Sequence, residues 1–285
     1  MLRGQDNIAA FLRAHGVHPR KRLGQNFLTD PVALESIVAA ADLSPDDLVV
    51  EVGAGVGTLT RSLAERAGRI VAVELDDRLV ELLGERMAAF PQVQIVHGDI
   101  LKLPDFGFPH RGYKVVANLP YYITSAVLRH FLEREPRPRL MVVTLQREVA
   151  ERIVAAPGEM SILAVSVQCY GRPRIVARIP PGAFYPPPEV DSAVLRVDVG
   201  EQPFHGVGVD EAAFFRVVRA GFGQKRKTLR NALSAGLRMD PARAEEVLAQ
   251  AGVDSRRRAE TLSLDEWVRV TKALATRTCG VPLLR

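Results

Sequence analysis

The sequence is poor in cysteine and contains no long apolar run. Its two cysteines, Cys169 and Cys279, follow no metal-binding spacing, so we expect free thiols in a reducing compartment, no disulfide and no metal site. No apolar stretch approaches the roughly 20 residues of a membrane-spanning helix. The N-terminus mixes charges with spaced apolar residues, unlike a signal peptide. These absences predict a cytoplasmic protein that does not contact membranes.

What the sequence does contain is the composition of an ordinary globular protein. Of its 285 residues, 47% are hydrophobic and 25% are charged, which is enough for one large domain, or for one large and one small domain. The net charge of +5 favours a polyanionic partner without proving one. Near the N-terminus, Ile8, Phe11 and Leu12 share the spacing of one helix face and predict a short helix.

Between residues 48 and 145, short apolar runs alternate with helical stretches such as TLTRSLAERA and DRLVELLGERMAAF. The predicted strands are LVVEV (48–52), RIVAVEL (69–75), VQIVHGD (93–99), YKVVANL (113–119) and RLMVVTL (139–145). This alternation indicates βαβ units and a parallel sheet. Because the strands are nearly all apolar, we expect helices to cover both faces of the sheet.

The pattern changes after residue 160. SILAVSVQCY, RIVARI and SAVLRVDV are predicted to be β-rich, and their short connections favour antiparallel strands that complete the sheet. From Asp210 onward the chain is predicted to be helical, and Asp240 followed by Pro241 fits a helix N-cap and first helical position. We therefore predict an α/β domain at residues 1–206 and a small all-α domain at residues 207–285.

A glycine loop, EVGAGVG, includes the end of the first of these strands and precedes a helix. Gly53, Gly55 and Gly57 let the backbone turn sharply and allow a ligand to lie against it. The dinucleotide fingerprint G-x-G-x-x-G would need glycine at position 58, which is Thr58, and the sequence has no phosphate-binding P-loop. A nucleotide pocket of another kind is therefore indicated.

Carboxylates stand at the ends of the next two strands. Because ligands of an open α/β sheet bind beyond the carboxyl ends of the strands, Glu74 and Asp99 should lie beside the glycine loop. Glu74 suits a ribose diol, since a carboxylate accepts two hydroxyl hydrogen bonds, and Asp99 suits the exocyclic amine of adenine. These acids would repel a pyrophosphate but tolerate a cationic sulfonium, so we infer S-adenosylmethionine as the cofactor rather than NAD.

The stretch ANLPYY, at the end of a further strand, is suited to methyl transfer onto an amine. An adenine amine is a poor nucleophile because its lone pair is delocalised, and two acceptors on its N–H bonds would free that lone pair. The side-chain oxygen of Asn118 and the carbonyl of Leu119 can be those acceptors, and Pro120 holds Leu119 in an extended conformation. Tyr121 offers a face on which a flipped-out base can stack.

Together with the helical segments near the C-terminus, these motifs resemble those of the ribosomal RNA adenine dimethyltransferases, the family that contains the bacterial KsgA enzymes. The similar segments are RLGQNFL (22–28), EVGAGVGTLT (51–60), GDIL (98–101), NLPYYITS (118–125), PPGAFYPPPEVDSAV (180–194), FGQKRKTLRNAL (222–233) and RAETLSLDE (258–266). The family usually has a longer loop where this chain has residues 156–162. That departure concerns the contacts to RNA rather than the cofactor pocket.

The resemblance implies a class I S-adenosylmethionine-dependent methyltransferase, with a Rossmann-like α/β sheet and a small all-α C-terminal domain. Residues implied or inferred to contact the cofactor are Asn26, Leu28, Gly53, Gly55, Glu74, Asp99 and Asn118. Phe184 is implied to stack on the second face of the target base, although it could instead plug the core under its loop. The implied substrate is a pair of adjacent adenosines near the 3′ end of 16S ribosomal RNA, each methylated twice during small-subunit biogenesis.

Three clusters of positive charge are candidates for RNA binding. They comprise Arg20, Lys21 and Arg22, then Lys225, Arg226, Lys227 and Arg230 at the predicted start of a helix, and finally the run RRR at 256–258. Clustered cations bind phosphates without reading sequence. Each cluster alone also fits a solvated helix face, but together they favour RNA. We expect the all-α domain to recognise a structured site in the immature 30S subunit, and the protein to act as a monomer.

Three alternatives to this function remain. The first is the related enzyme type that methylates 23S ribosomal RNA and confers macrolide resistance, which the forms NLPYYITS and GAFYPPPEVDS disfavour. The second is a ribosome-assembly factor that binds without catalysis, which the intact Asn118–Tyr121 motif disfavours without excluding a dual role. The third is an NAD-dependent oxidoreductase, which Thr58 and Asp99 disfavour.

Overall fold

The computed structural model describes residues 8–103 and 112–275. The chain divides into two compact units, the first comprising Met1–Glu151 with Arg172–Val199, and the second Arg152–Gly171 with Gly200–Arg285. The predicted functional domains, 1–206 and 207–285, remain a prediction. The compact units differ from them in two places, because they divide after Val199 and because residues 152–171 belong to the second unit.

The described residues form nine strands, eleven α-helices and four single-turn 3₁₀ helices. The strands are β1 Phe27–Leu28, β2 Leu48–Val52, β3 Arg69–Glu74, β4 Val93–His97, β5 Lys114–Asn118, β6 Leu140–Gln146, β7 Gly171–Ile179, β8 Phe184–Tyr185 and β9 Ser192–Val199. The helices are α1 Ile8–Ala14, α2 Pro31–Ala41, α3 Thr58–Ala64, α4 Asp77–Met87, α5 Thr124–Leu132, α6 Arg147–Ile153, α7 Ile162–Gln168, α8 Glu211–Phe222, α9 Leu229–Leu237, α10 Pro241–Gln250 and α11 Leu264–Ala275.

A seven-stranded sheet forms the centre of the first unit, in the order β4-β3-β2-β5-β6-β9-β7. The strands from β4 to β6 are parallel, and β9 pairs with β6 in antiparallel register. The predicted parallel sheet and its antiparallel completion are therefore confirmed. Strands β2, β5 and β6 are almost fully buried, as their continuous apolar sequences indicated.

The parallel register brings several strand ends to one edge of the sheet. Glycine loop 53–57 follows β2, Glu74 ends β3, and Asn118 ends β5 beside Thr144 of β6. The order of the strands reverses direction around β2, where the chain passes outward to β3 and β4 and then returns to β5. Such a reversal opens a crevice at the carboxyl ends of the strands, where ligands of α/β sheets bind.

A second, two-stranded sheet joins the N-terminal segment to the loop before β9. Strand β1 pairs with β8 in antiparallel register, with Phe27 opposite Tyr185 and Leu28 opposite Phe184. The backbone amide of Thr29 also donates to the carbonyl of Ala183 at 2.9 Å. This pairing brings the QNFL and AFYPPP motifs together, although 154 residues separate Thr29 and Ala183 in the chain.

The prediction that SILAVSVQCY is β-rich was wrong. Residues 162–168 form α7, and the Ser161 hydroxyl accepts a hydrogen bond from the Ala164 amide at 3.1 Å as an N-cap. Ala164, Val165 and Val167 are buried, while the Gln168 side chain donates to the carbonyls of Ile153 and Ala155. The β-branched residues favoured a strand, but the N-cap and packing within the second unit outweighed that local preference. The other two β-rich segments lie in β7 and β9, as predicted.

Helices α8 to α11 form most of the second unit around Trp267, whose side chain is fully buried. A β-carbon at Gly221 would lie 2.3 Å from the Trp267 ring, so α8 can approach α11 only with glycine at that position. The Asp240 side chain accepts from the Ala242 amide at 2.7 Å, and Pro241 follows at the first helical position. The predicted start of α10 is confirmed.

Smaller sequence predictions concern the termini and the cysteines. In α1, Ile8 and Leu12 are buried, as the spacing indicated. Cys169 is buried, its Sγ donates to the carbonyl of Ser166 at 3.7 Å, and Cys279 lies outside the described residues. None of the helices in the described part of the chain is both long and apolar enough to cross a membrane.

A buried ion pair holds the first residue of β5, the strand that carries Asn118 at its other end. Lys114 and Asp47 are 2% and 4% exposed, and Lys114 Nζ lies 2.9 Å from Asp47 Oδ2. Lys114 also donates to the carbonyls of Ala41 and Asp42, and Arg139 donates to Asp47. Burial by itself raises the pKa of Asp47, but these hydrogen bonds and the Lys114 charge outweigh it and lower the pKa to about 2.

We expect Asp47→Ala to destabilise the protein by about 3–5 kcal/mol at neutral pH, because it leaves the Lys114 ammonium buried without its counter-charge. Urea denaturation followed by circular dichroism measures this free energy of unfolding. Asp46→Ala is the matched control, since Asp46 is the exposed neighbour of Asp47. Equal stability of the two variants would contradict the structural role assigned to the ion pair.

Candidate cofactor and base pocket

One pocket of the first unit brings together every residue that the sequence assigned to the cofactor and to the reaction. Its lining includes Asn26, Leu28, Gly53, Gly55, Glu74, Asp99, Asn118, Leu119, Pro120, Tyr121 and Phe184. Three elements supply them: the N-terminal segment, the carboxyl ends of the strands, and the loop that leads to β9. The described residues contain no group of three or more His, Cys, Asp or Glu that could hold a metal ion.

The glycine loop forms the part of the pocket that follows β2. Gly53 and Gly55 have φ angles of 74° and 61°, in the left-handed region that favours glycine. A β-carbon at Gly55 would also lie 3.1 Å from the Phe27 ring. The loop therefore presents bare backbone to a ligand while the N-terminal segment packs against it.

Glu74 links that loop to the end of β3. Its Oε2 accepts from the Gly55 amide at 2.7 Å, and its Oε1 accepts from the amides of Leu75 and Asp76 at 2.9 and 2.8 Å. Burial raises the pKa of Glu74, and the backbone hydrogen bonds partly offset that effect. Carboxylate oxygens accept more than one hydrogen bond, so the predicted contacts to a ribose diol are compatible with these bonds.

Asp99 also lines the pocket, two residues after the end of β4. Its Oδ1 accepts from the Leu101 amide at 3.1 Å, and its side chain is 31% exposed. Lys102 is 3.7 Å away and 83% exposed, so it pairs with Asp99 only loosely. The carboxylate is thus held in place and open to a donor such as the exocyclic amine of adenine.

Glu51 is a pocket residue that the sequence reasoning missed. It is 1% exposed, lines the pocket, and its Oε2 has no hydrogen-bond partner within the described structure. Burial raises the pKa of Glu51 to about 8, and the negative charge of Glu74 acts in the same direction. An acid within the otherwise apolar strand LVVEV was the signal that could have identified it.

The residues present fit S-adenosylmethionine. The pocket contains three acidic side chains, Glu51, Glu74 and Asp99, and no Lys or Arg among its lining residues, and a bound cation would favour the ionised form of Glu51. An anionic phosphate cofactor would be repelled there, whereas a sulfonium and an ammonium would be attracted. The orphaned oxygen of Glu51 supports this interpretation, because a buried acceptor without a partner favours a ligand that donates to it.

The orientation of the Asn118 amide is determined by the N-terminal segment. Asn118 Nδ2 donates to the backbone carbonyl of Asn26 at 2.9 Å. Since the amino group is used in this bond, the amide oxygen is the end left to accept from a substrate amine. Sequence reasoning predicted the acceptor role of Asn118, but not that Asn26 orients it.

The residues after Asn118 are held just as firmly. The Leu119 amide donates to the Thr144 carbonyl at 3.1 Å, and Pro120 has φ −58° and ψ 129°. The Tyr121 hydroxyl lies 2.7 Å from Ser192 Oγ, and Ser192 is fully buried at the start of β9. Burial raises the pKa of Tyr121. Both the backbone carbonyl and the aromatic ring of the motif are therefore positioned by β6 and β9.

Phe184 lies in the core as well as at the pocket. It is 5% exposed and packs in the hydrophobic cluster that includes Leu28 and Ala183. Both roles considered for it from the sequence, a core plug and a stacking partner, therefore have a structural basis. Tyr122, which the sequence reasoning left without a role, lines the pocket and is 59% exposed.

Comparison with known proteins identifies the family of the chain. The profile of the ribosomal RNA adenine dimethylase family matches residues 16–276. The chain belongs to this family. A protein of Dehalococcoides mccartyi named ribosomal RNA small subunit methyltransferase A is 49% identical over 270 residues, covering 94% of this chain and 92% of the relative. One of the same name from Pelotomaculum thermopropionicum is 44% identical over 278 residues, covering 92% and 94%.

Solved structures show the same fold. A dimethyladenosine transferase from Plasmodium falciparum aligns with a TM-score of 0.74 at 22% identity, covering 86% of this chain and 95% of that one. The 23S rRNA methyltransferase ErmE aligns with a TM-score of 0.69 at 30% identity, covering 87% and 99%. The predicted class I methyltransferase fold, the enzyme class and the cofactor S-adenosylmethionine are confirmed for this member of the dimethylase family.

In this dimethylase, the cation predicted to bind RNA at Arg20 has a different partner. Arg20 Nη1 lies 3.0 Å from Asp76 Oδ1, and Asp76 is 1% exposed. Gln25 Nε2 donates to the same carboxylate at 2.9 Å, and Arg78 Nη2 at 2.7 Å. Burial alone raises the pKa of Asp76, but the hydrogen bonds from Arg78 and Gln25 outweigh it and hold the pKa well below its usual range.

Asp76 therefore holds the N-terminal segment against the end of β3. Its own amide donates to Glu74, while its side chain holds Gln25, the residue next to Asn26. Because Asn26 orients Asn118, one hydrogen-bonded path joins the carboxylate assigned to ribose with the amide assigned to the target base. Asp76 had no distinguishing signal in the sequence, and Gln25 stood within the RLGQNFL motif without a role assigned to it.

The other predicted RNA-binding residues are on the surface. Lys21 and Arg22 are exposed in a single turn of 3₁₀ helix. Lys225, Arg226 and Lys227 are exposed in a turn, and the helix begins only at Leu229, so the expectation that they start a helix was wrong. Thr228 is the N-cap residue of α9, which places only Arg230 of this cluster on the helix itself.

We expect Asp76→Asn to weaken binding of S-adenosylhomocysteine roughly tenfold, because losing one charge-assisted hydrogen bond costs about 1.5–3 kcal/mol. Isothermal titration calorimetry measures this affinity. Asp77→Asn is the matched control, since the Asp77 side chain is 73% exposed and lies 3.7 Å from Arg20. If both variants bind S-adenosylhomocysteine as tightly as the wild type does, the hydrogen bonds of Asp76 do not position the cofactor pocket.

Glu51 should make the stability of the ligand-free protein depend on pH. Its pKa is raised from 4.5 to about 8 on folding, so its contribution to stability is fully present below pH 4.5 and is lost as the pH rises towards 8. We expect Glu51→Gln, which stays neutral, to gain stability relative to the wild type between pH 5 and pH 8. Thermal melts at both pH values check this, with the exposed Glu65→Gln as control. If the melting temperatures of Glu51→Gln and the wild type differ by the same amount at both pH values, the raised pKa of Glu51 is refuted.

Proposed function

We propose that the protein transfers methyl groups from S-adenosylmethionine to the N6 amines of two adjacent adenosines near the 3′ end of 16S ribosomal RNA. Each adenosine receives two methyl groups, and the substrate is the immature 30S subunit in the cytoplasm, bound by one copy of the protein. Relatives named ribosomal RNA small subunit methyltransferase A, at 41–49% identity over most of the chain, support the small-subunit substrate. Identity to the 23S enzyme ErmE is lower, at 30%.

The observation that carries the proposed reaction is the bond between Asn118 Nδ2 and the Asn26 carbonyl. This bond leaves Asn118 Oδ1 to accept one N–H of the adenine amine, and the Leu119 carbonyl accepts the other. Two acceptors draw the nitrogen towards tetrahedral geometry and localise its lone pair. The protein thus activates the nucleophile by position and polarity, without a strong general base.

When bound, S-adenosylmethionine supplies a methyl carbon made electrophilic by its sulfonium. Asn26, Leu28, Gly53 and Gly55 would hold that cofactor so that its methyl group meets the adenine nitrogen, and the displaced sulfur would keep the electron pair of its former bond to the methyl carbon. The methylated amine is then acidic and releases its proton to water. The role of the protein is to hold the amine in line with the methyl group and to keep the lone pair localised on the nitrogen.

The target base must leave its stack to reach this corner of the pocket. Tyr121, whose hydroxyl is tied to Ser192, offers a rigid face for stacking, and we assign Phe184 to the opposite side. Asn26, Leu28, Gly53 and Gly55 would hold the cofactor on the other side of the transferred methyl. Lys225, Arg226, Lys227 and Arg230, with Lys21 and Arg22, would bind RNA phosphates.

The experiment that tests this function maps methylated adenines after the protein is incubated with separate unmethylated small and large ribosomal subunits. We expect dimethyladenosine at two adjacent positions near the 3′ end of 16S RNA, and none in 23S RNA. Methylation of 23S RNA alone would replace the proposal with the macrolide-resistance type of activity. No methylation of either subunit, with tight binding to small subunits, would indicate an assembly factor.

Asn118→Ala should abolish this methylation, with a loss of at least about a thousandfold if polarisation of the amine is the main source of catalysis. Tritiated methyl incorporation into immature small subunits measures the rate. Affinity for S-adenosylhomocysteine, measured in parallel, should change far less than the rate. An unchanged rate in the variant would overturn the assigned mechanism, whereas an equal loss of cofactor affinity would make Asn118 a binding residue instead.

A further inference from the structure

The positive charge of the second unit is concentrated in one helical hairpin. Residues 212–239, which comprise most of α8, the turn and α9, contain seven basic residues and no Asp or Glu. The basic residues are Arg216, Arg219, Lys225, Arg226, Lys227, Arg230 and Arg238. Residues 240–275, which contain α10 and α11, have six basic and seven acidic residues. The hairpin therefore has a formal charge of +7, and the rest of the helical region is close to neutral.

Three of these arginines were not among the residues predicted to bind RNA. Arg216 and Arg219 are exposed and lie three residues apart on α8, while the neighbouring Phe214, Val217 and Val218 are buried. Arg238 is exposed at the end of α9, with a left-handed backbone at φ 53°. Side chains three residues apart lie on one face of a helix, so α8 presents two arginines to the same side.

A groove lies between α8 and the end of α9, and residues of α10 and α11 also line its larger part. One part has a volume of about 540 Å³ and is lined by Arg216, Arg238 and Arg243. A smaller part of about 360 Å³ is lined by Arg216, Arg219 and Gln224, the residue before Lys225. Arg216 belongs to both parts, so the groove continues from the end of α9 towards the basic turn 225–227.

The floor of the groove depends on a close approach of two helices. Gly236 of α9 lines both parts, and a β-carbon there would lie 2.6 Å from the β-carbon of Ala220 in α8. Glycine therefore lets the two backbones touch and leaves a depression between the flanking arginines. An extended polyanion could lie in this depression with cations on both sides of it.

The arginines of the groove differ from the run at 256–258 in their partners. Within the described residues, Arg216, Arg219 and Arg238 form no ion pair with a carboxylate, and Arg243 pairs with Glu246 at 3.1 Å. Arg256, Arg257 and Arg258 lie 3.2, 2.6 and 3.9 Å from Asp254, Glu266 and Glu260. A guanidinium without a carboxylate partner gains more from a phosphate than one whose charge is already matched.

We propose that this arginine groove, defined by Arg216, Arg219 and Arg238, is a binding site for the phosphodiester backbone of the ribosomal RNA substrate. The inference rests on the proposed function, since it takes the partner to be RNA. The groove extends the contact of turn 225–227 along α8, and the run at 256–258 contributes little. The charged residues that line the groove are all arginines, which suits a chain of phosphates, and guanidinium groups bind phosphate oxygens with two parallel hydrogen bonds.

The test compares two triple variants with the same loss of charge. One is Arg216→Gln, Arg219→Gln and Arg238→Gln. The matched control is Arg61→Gln, Arg66→Gln and Arg129→Gln, whose arginines pair with Glu65, Glu35 and Glu133 on the first unit. Fluorescence anisotropy measures the affinity of each full-length protein for a labelled, protein-free transcript of unmethylated small-subunit RNA, at several salt concentrations.

We expect the groove variant to bind the transcript roughly tenfold or more weakly than the wild type, with a salt slope lower by about two to three, one for each lost phosphate contact. The control should change the affinity less than about threefold, because salt screens surface charges that do not contact the RNA. Melting temperature and affinity for S-adenosylhomocysteine should be unchanged in the groove variant, which excludes misfolding as the cause.

Equal effects of the two variants would overturn the proposal, because net charge alone would then explain the binding. Weaker binding to assembled subunits with unchanged affinity for the transcript would also overturn it, in favour of an acidic protein partner. The titrations do not depend on methylation. A wild-type protein that binds RNA but methylates no adenine would refute the proposed function and leave the groove supported.

Discussion

The hydrogen bond from the Asn118 side chain to the Asn26 carbonyl is the constraint on which the site depends. A primary amide presents a donor end and an acceptor end that have almost the same shape, and only its partners decide which end faces the substrate. Here a backbone carbonyl, which can only accept, takes the amino end. The oxygen end is then available for an amine that must donate. One bond between two distant segments thus orients the amide to which we assign polarisation of the adenine amine.

The carbonyl of Asn26 can do this only because its own segment is held in place. Strand β1 pairs with β8, the Phe27 ring packs against Gly55, and Gln25 is bound by Asp76. Each of these contacts joins a different part of the first unit to the same short segment. The N-terminal motif is therefore as much a part of the catalytic architecture as the strands, although it precedes the sheet in the chain.

Electrostatics gives the pocket its preference for a cation. Glu51, Glu74 and Asp99 contribute negative charge, or carboxyl groups that can acquire it, at strand ends where a dinucleotide pocket would instead leave room for phosphates. The second unit carries the opposite charge, in a hairpin without a single carboxylate between residues 212 and 239. The molecule thus separates the acids of the cofactor pocket from the cations that we propose bind RNA.

The sequence by itself indicated the parallel sheet, the glycine loop, the start of α10 and, partly through its family motifs, many of the residues that line the pocket, but not Glu51 or Tyr122. Each of these follows from local periodicity or from a motif that is continuous in the chain. It did not distinguish helix from strand at residues 162–168, because β-branched residues favour both a strand and a buried helix face until the N-cap and the packing decide. Nor could it distinguish Arg20, which pairs with Asp76, from Lys21 and Arg22, which are exposed.

Tertiary structure alone decided which groups act on one another across long chain separations. Asn26 and Asn118 are 92 residues apart, and Tyr121 and Ser192 are 71 residues apart. No local pattern records such pairs, because each residue is an ordinary polar or aromatic choice in its own segment. These residues interact only because sheet order and strand register bring them within hydrogen-bond distance. In the same way, only the tertiary structure decides which arginines pair with a neighbouring carboxylate.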